Sequence, residues 1–284
     1  MDAPIVVGFD GTDESAAAAL WAAREAERRG LPLELLQAWP WRGPHVLGTP
    51  DAQRWARQRL ARQEVELRAG RSGVEVSAVH VPEDPVWALE TAGRTAAMLV
   101  LGSRALGAVR GFVPGSVGLA VAGRAACPTV VVRTADPAGG GTAVDGPGPV
   151  VLAADLRPGA APAVDFALEC AALRSARLHA VRAWEPPTGA EYLGPVELAE
   201  LEITERRRLT EALEPGCRLH PGVRVTAETV SGPRTRAVVE AADGAQLLVI
   251  GRRSRRLPVG PHLGAVAHAA LHHAHCPVAV VPCD

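Results

Sequence analysis

Residues Met98 to Ser116 read "MLVLGSRALGAVRGFVPGS". The opening apolar run is what a strand buried on both faces requires, and Gly102 ends it. The fifteen residues from Gly102 to Ser116 then lead into the amphipathic "GSVGLAVAGRAA", a long path for a mere turn. A glycine-punctuated loop in that place either cradles a phosphate or simply carries the chain from strand to helix. What decides the fold is that the stretch occurs twice. "MLVLGSR", with Gly102, returns as "LLVIGRR", with Gly251, 149 positions on.

Other landmarks return in the same order. "PIVVGFD", ending at Asp10, reappears as "PVVLAAD", ending at Asp155, and "LLQAW", ending at Trp39, as "AVRAW", ending at Trp184, both 145 positions later. "AACPTVVVR" reappears as "AHCPVAVVP", with Pro128 and Pro277 again 149 apart. Self-similarity at a nearly constant offset marks a tandem duplication. We place domain 1 at residues 1–135, a Gly- and Pro-rich linker at 136–148 and domain 2 at 149–284.

Each half alternates short β-branched apolar runs with longer helical stretches. In the first, Thr12 or Asp13 caps the helix after "PIVVGF", Gly30 ends it, and Asp84 with Pro85 opens a later one. Such an alternation gives an α/β fold: two doubly wound domains, each a five-stranded parallel sheet with helices on both faces. In sheets of this class ligands bind beyond the carboxyl ends of the strands, where strand order reverses. Asp10, ending the first strand, and the loop from Gly102, ending the fourth, both fall on that edge.

Composition narrows the function. The chain has 284 residues, 48% hydrophobic and 21% charged, enough to bury sizeable cores, and a formal net charge of −1. That balance argues against nucleic acid or an anionic membrane as the main partner. Every basic residue is arginine, so Schiff-base chemistry and a lysine on a phosphate are excluded. The five cysteines, Cys127, Cys170, Cys217, Cys276 and Cys283, form no CxxC pair, and no apolar run reaches membrane-spanning length. With no leader signal at the N-terminus, the expected setting is cytoplasmic.

The loop has the parts of an anion site. Gly102, Gly107, Gly111 and Gly115 let the backbone approach a ligand, and Gly115 and Ser116 open a helix whose free amides favour a phosphate. In these residues the sequence resembles the universal stress proteins, whose domains bind ATP with the pattern G-x2-G-x9-G-[ST] after the fourth strand and an Asp after the first. Gly102, Ala105, Gly115 and Ser116 follow that spacing with Ala in place of the second Gly. Gly251, Ser254, Gly264 and Ala265 follow it in the second half, and "VVGFDGTDES" and "CPTVVV" are similar to the family as well.

The resemblance implies strand order 3-2-1-4-5 in each half, docking of the halves as a pseudo-dimer within the chain, and ATP, with an accompanying Mg²⁺, as cofactor. It puts Asp10 and Ala38 against adenine and ribose, lines the phosphate path with Gly102, Arg104, Gly115, Ser116 and Val117, and counts Gly8 and Ala105 among the binding residues. The matching second set is Asp155, Ala183, Gly251, Arg253, Gly264 and Ala265. Ala105 and Ser254 replace a glycine that a positive φ would favour, at a cost of roughly 1–2 kcal/mol. Gly8 becomes Ala153, Ala265 has lost a hydroxyl, and Arg252, Arg253, Arg255 and Arg256 add charge. The first half is therefore expected to be the better nucleotide site.

The functional expectation is a nucleotide-binding regulatory module in stress adaptation, acting on a protein partner, with homodimerisation also open. No in-line base or lysine is evident, so binding without fast turnover is expected and no residue is assigned a catalytic role. Two alternatives stand beside it: a slow ATPase, and a ligand-free scaffold whose loops have decayed. His268 and His272, four apart on one helix face, are read as surface histidines with no metal site assigned. Cys127 and Cys276 are read as small buried residues, and Trp39 and Trp184 as packing residues.

Overall fold

The computed structural model describes residues 2–39, 50–70, 73–105, 112–113, 116–133, 147–187, 189, 192–253 and 263–283, with 50–53, 104–105 and 112–113 described as backbone only. Gly107, Gly111, Gly115, Trp41, Ser254, Arg255, Arg256 and linker residues 136–146 lie outside the described residues. The chain divides into two compact units, Met1–Thr142 and Ala143–Asp284.

The first unit runs β1 (Ile5–Gly8), α1 (Asp13–Arg29), β2 (Leu33–Ala38), α2 (Pro50–Gly70), β3 (Val76–Val81), α3 (Pro85–Ala92), β4 (Met98–Ala105), β5 (Phe112–Val113), α4 (Ser116–Arg124) and β6 (Thr129–Arg133). Its parallel strands lie in the order β3-β2-β1-β4-β6, the 3-2-1-4-5 arrangement. β1 pairs with β2 on one side (Gly8 beside Leu36) and with β4 on the other (Gly8 beside Leu101), so strand order reverses at β1 and β4. Ile5, Val6 and Val7 are fully buried, as expected of a central strand covered on both faces.

Local chemistry sets the helix ends. Thr12 is the N-cap of α1, its Oγ1 accepting from the Ser15 amide at 3.3 Å. Gly30 closes the helix in the left-handed region, φ 65°, which glycine enters without the clash a Cβ would meet. Inside α1, Glu25 is fully buried and accepts from Arg29 Nε at 2.6 Å, so that charge is compensated.

The glycine segment departs from the expected loop. β4 continues through Ala105, and Arg104 and Ala105 pair antiparallel with Val113 and Phe112 of β5. Ala105 is thus in extended backbone, open to any residue, and Ser175 is the non-glycine with positive φ among the described residues. The conformational cost assigned to the Gly-to-Ala change is not incurred, because strand pairing continues past the point where the sequence pattern stops.

The second unit repeats the plan with β7 (Val150–Ala153), α5 (Ala161–Leu173), β8 (Leu178–Trp184), α6 (Pro195–Leu219), β9 (Val225–Ser231), α7 (Arg234–Ala241), β10 (Leu247–Arg253), α8 (Ala265–His273) and β11 (Val278–Cys283). The parallel order is β9-β8-β7-β10-β11, with the reversal at β7 and β10. α5 and α6 pack together, as do α7 and α8, so the sheet is covered by helix pairs. Leu152, Leu168, Leu178, Leu247 and Leu248 fill the core without solvent exposure.

Candidate nucleotide site

In the second unit a cavity of about 880 Å³ opens over the carboxyl ends of β7, β8 and β10, against the first turns of α7 and α8. That is the switch-point position, reached because β7 pairs with β8 on one side and β10 on the other. Asp155, Ala183, Gly251, Arg253, Gly264 and Ala265, spread over 111 positions of sequence from 155 to 265, all line it. The apolar part of the wall comes from Val181, Val238, Ile250 and Val266.

Five arginines also line it, Arg157, Arg182, Arg234, Arg252 and Arg253, against the carboxylates Asp155 and Glu185. Arg252 is buried at 7% exposure, and Arg234 and Arg253 are exposed. Excess guanidinium charge in a partly desolvated cleft favours an anionic ligand. Two helix starts add to it. Neither Gly264, the N-cap of α8, nor Pro233, that of α7, supplies a side-chain cap, so their first amides are not satisfied by a cap. A Cβ at Gly264 would meet nothing within 4 Å, and its φ of −72° suits any residue. The glycine there leaves space that no described neighbour occupies.

Asp155 is held by its neighbour Arg157. Its Oδ1 accepts from the Arg157 amide at 3.2 Å, and its Oδ2 accepts from Arg157 Nε at 2.5 Å and from Nη2. Burial pushes the carboxyl up, but the hydrogen bonds from Arg157 and the charges of Arg157 and Arg182 outweigh it and hold Asp155 below its ordinary value. Arg182 in turn faces Glu205 of α6, Nε to Oε2 at 3.4 Å.

The corresponding edge of the first unit is built differently. Asp10 is exposed, and its Oδ1 accepts from the Thr12 amide at 3.0 Å and from Thr12 Oγ1 at 2.5 Å. Ala38 and Val117 pack against a buried cluster that includes Val6, Leu36, Leu89 and Leu101, and Ser116 is the exposed first residue of α4. A Cβ at Gly8 would come within 2.6 Å of Leu101 Cδ2. At Gly102 it would lie 2.5 Å from the Glu14 carbonyl carbon and oxygen, so the first turn of α1 already gives a reason for glycine there. Gly251 is less confined, with Cys283 Sγ at 3.1 Å and Ala163 Cβ at 3.4 Å. Asp84 caps α3, its Oδ1 accepting from the amides of Val86 and Trp87 at 3.0 and 3.2 Å, where α7 has Pro233.

Sequence reasoning missed Arg157, Arg182 and Arg234. The signal was available in the duplication, where these positions answer to Thr12, Gln37 and Pro85. A motif comparison confined to the glycine loop passes over them. The rings of His268 and His272 lie with centroids 4.4 Å apart, tilted at 50°, and among the described residues no group of three His, Cys, Asp or Glu is arranged to hold a metal.

The universal stress protein family model matches the chain twice, over residues 2–133 and 148–282. The chain belongs to the universal stress protein family. A universal stress protein of Mycobacterium tuberculosis is 30% identical to it, over 97% of this chain and 96% of the relative. Another, from Mycolicibacterium smegmatis, is 30% identical over 98% and 96%. In fold, this universal stress protein is similar to the crystal structure of one from Archaeoglobus fulgidus, with a TM-score of 0.71 at 17% identity and 98% coverage of both chains. Among the described residues no helix is long and apolar enough to cross a membrane.

Proposed function

We propose that this universal stress protein binds an adenine nucleotide, ATP, in the cavity of its second unit and uses occupancy to bias its contacts with a protein partner in the cytoplasm. The observation that carries the reading is the convergence of the six second-half positions on one arginine-rich cavity at the switch point. Val181, Ala183, Val238 and Ile250 offer a base an apolar wall, while Arg252, Arg253 and the start of α8 offer its phosphates cations and amides. A Mg²⁺ would find Asp155 already committed to Arg157, so phosphates and water would supply most of its ligands. The first-unit set, Gly8, Asp10, Ala38, Gly102, Arg104, Ala105, Gly115, Ser116 and Val117, which the sequence put first, is the second proposed site.

Calorimetric titration of ATP into the full chain, repeated on Gly264→Val, tests the reading. The substitution fills the free space at the α8 start, and we expect it to remove one bound ATP per chain while leaving the fold intact. Unchanged ATP binding in that variant would refute the placement. No nucleotide bound by the wild type would favour the ligand-free scaffold, and steady phosphate release abolished by Asp155→Asn would favour the slow ATPase.

A further inference from the structure

The two units differ where the family resemblance puts the ribose. Two residues beyond the strand-end aspartate, the first unit has Thr12 and the second has Arg157. In the first unit the aspartate accepts from the Thr12 hydroxyl and amide, and Gln37 stands where the second unit has Arg182, its side-chain amide donating to the Ala56 carbonyl at 3.2 Å. In the second unit the aspartate is gripped by a guanidinium, through Nε and Nη2. Arg182 lies close enough to add its own charge.

A ribose hydroxyl seeking Asp155 must compete with Arg157 for both carboxylate oxygens. An anion need not. Arg157 spends one edge of its planar fork on Asp155, among the described residues nothing is bonded to its Nη1, and its side chain is 46% exposed on the cavity wall. General chemistry connects the two cases: in nucleotide sites on open α/β sheets, an acidic residue reads a free ribose hydroxyl, and an arginine in its neighbourhood accommodates a ribose phosphate. The other cationic region of the same cavity, Arg252 and Arg253 with the start of α8, is left for the 5′ end.

We infer that the second-unit cavity selects an adenine nucleotide phosphorylated on its ribose, at the 2′ or 3′ position, as well as at 5′. The inference rests on the adenine-nucleotide reading of this cavity and puts a ribose-phosphorylated nucleotide ahead of ATP as its preferred ligand. Arg157 holds the ribose phosphate and Asp155 fixes the orientation of Arg157; the first unit has Thr12 at the matching position.

The test uses isomers, so that only phosphate position varies. ADP, adenosine 2′,5′-bisphosphate and adenosine 3′,5′-bisphosphate have the same composition and are titrated into the full chain by calorimetry. An arginine fork on a phosphate predicts that one bisphosphate binds about 10- to 100-fold tighter than ADP, at one site per chain. The preference should fall to within about threefold of parity in Arg157→Thr and in Arg157→Gln, both at an exposed position that leaves the core untouched. ADP binding as tightly as both isomers would overturn the inference and leave the nucleotide site standing. A preference that survives both substitutions would overturn the assignment to Arg157. Failure of all three compounds to bind would overturn the nucleotide reading, and the inference with it.

Discussion

Alanine at Gly102 and at Gly251 makes the same chemical change at equivalent positions of the two units, yet the structure demands different outcomes. At Gly102 the new Cβ would sit 2.5 Å from the Glu14 carbonyl carbon and oxygen and 2.8 Å from the Ser15 amide nitrogen. Carbon atoms in contact rest at about 3.5–4.0 Å, so the overlap is roughly 1 Å and falls on backbone. The first turn of α1 cannot swing aside, since Thr12 caps it and the helix packs on β4 and β6. Overpacking of this kind costs about 3 kcal/mol, and the lower unfolded-state entropy of alanine returns about 0.4–1. The net loss is about 2 kcal/mol. With an unfolding entropy of about 2.1 cal/mol/K per residue over roughly 140 residues, the unit Met1–Thr142 should melt about 7 °C lower if it unfolds independently. At Gly251 the nearest atoms are Cys283 Sγ at 3.1 Å and the Ala163 methyl at 3.4 Å, which yield by a few tenths of an ångström. The net change there should stay within about 0.5 kcal/mol. Differential scanning calorimetry and urea denaturation of both variants provide the comparison. Equal melting of the two variants would refute the argument. So would Gly102→Ala that melts like wild type but no longer binds nucleotide, since the glycine would then serve the ligand and not the helix.

Two further outcomes follow from the site's surroundings. Asp84→Ala removes the acceptor of both the Val86 and Trp87 amides and should cost about 1 kcal/mol in urea denaturation, while Asp84→Ser should restore most of it. Asp155 is held below its ordinary carboxylate value, so its contribution to stability is present above about pH 3.9 and is lost as the pH falls through the depressed folded value. Asp155→Asn should therefore melt below wild type at about pH 5–7, with the difference closing toward pH 2–3. A gap that does not change with pH would mean that the Arg157 pair adds no net stability.

Much of the architecture was legible because it depends on short-range regularities. The duplicated landmarks gave two units, β-branched runs such as "PIVV" gave buried strands, and Gly30 and Asp84 marked helix ends through preferences that act within a turn. The edge where ligands would lie followed from the strand-helix alternation, because parallel strands put all their carboxyl ends on one side. Local rules could not settle what depends on distant neighbours. Gly102 fits a phosphate loop in sequence, but α1, nearly ninety positions earlier, approaches closely enough to require it. Ala105 reads as damage to a glycine motif until β5 pairs with it. Arg157 reads as one more surface arginine until Asp155 turns it along the cavity wall. Strand and helix are specified over a few residues of backbone, whereas a site's charge and shape come from side chains that meet only after the sheet has assembled.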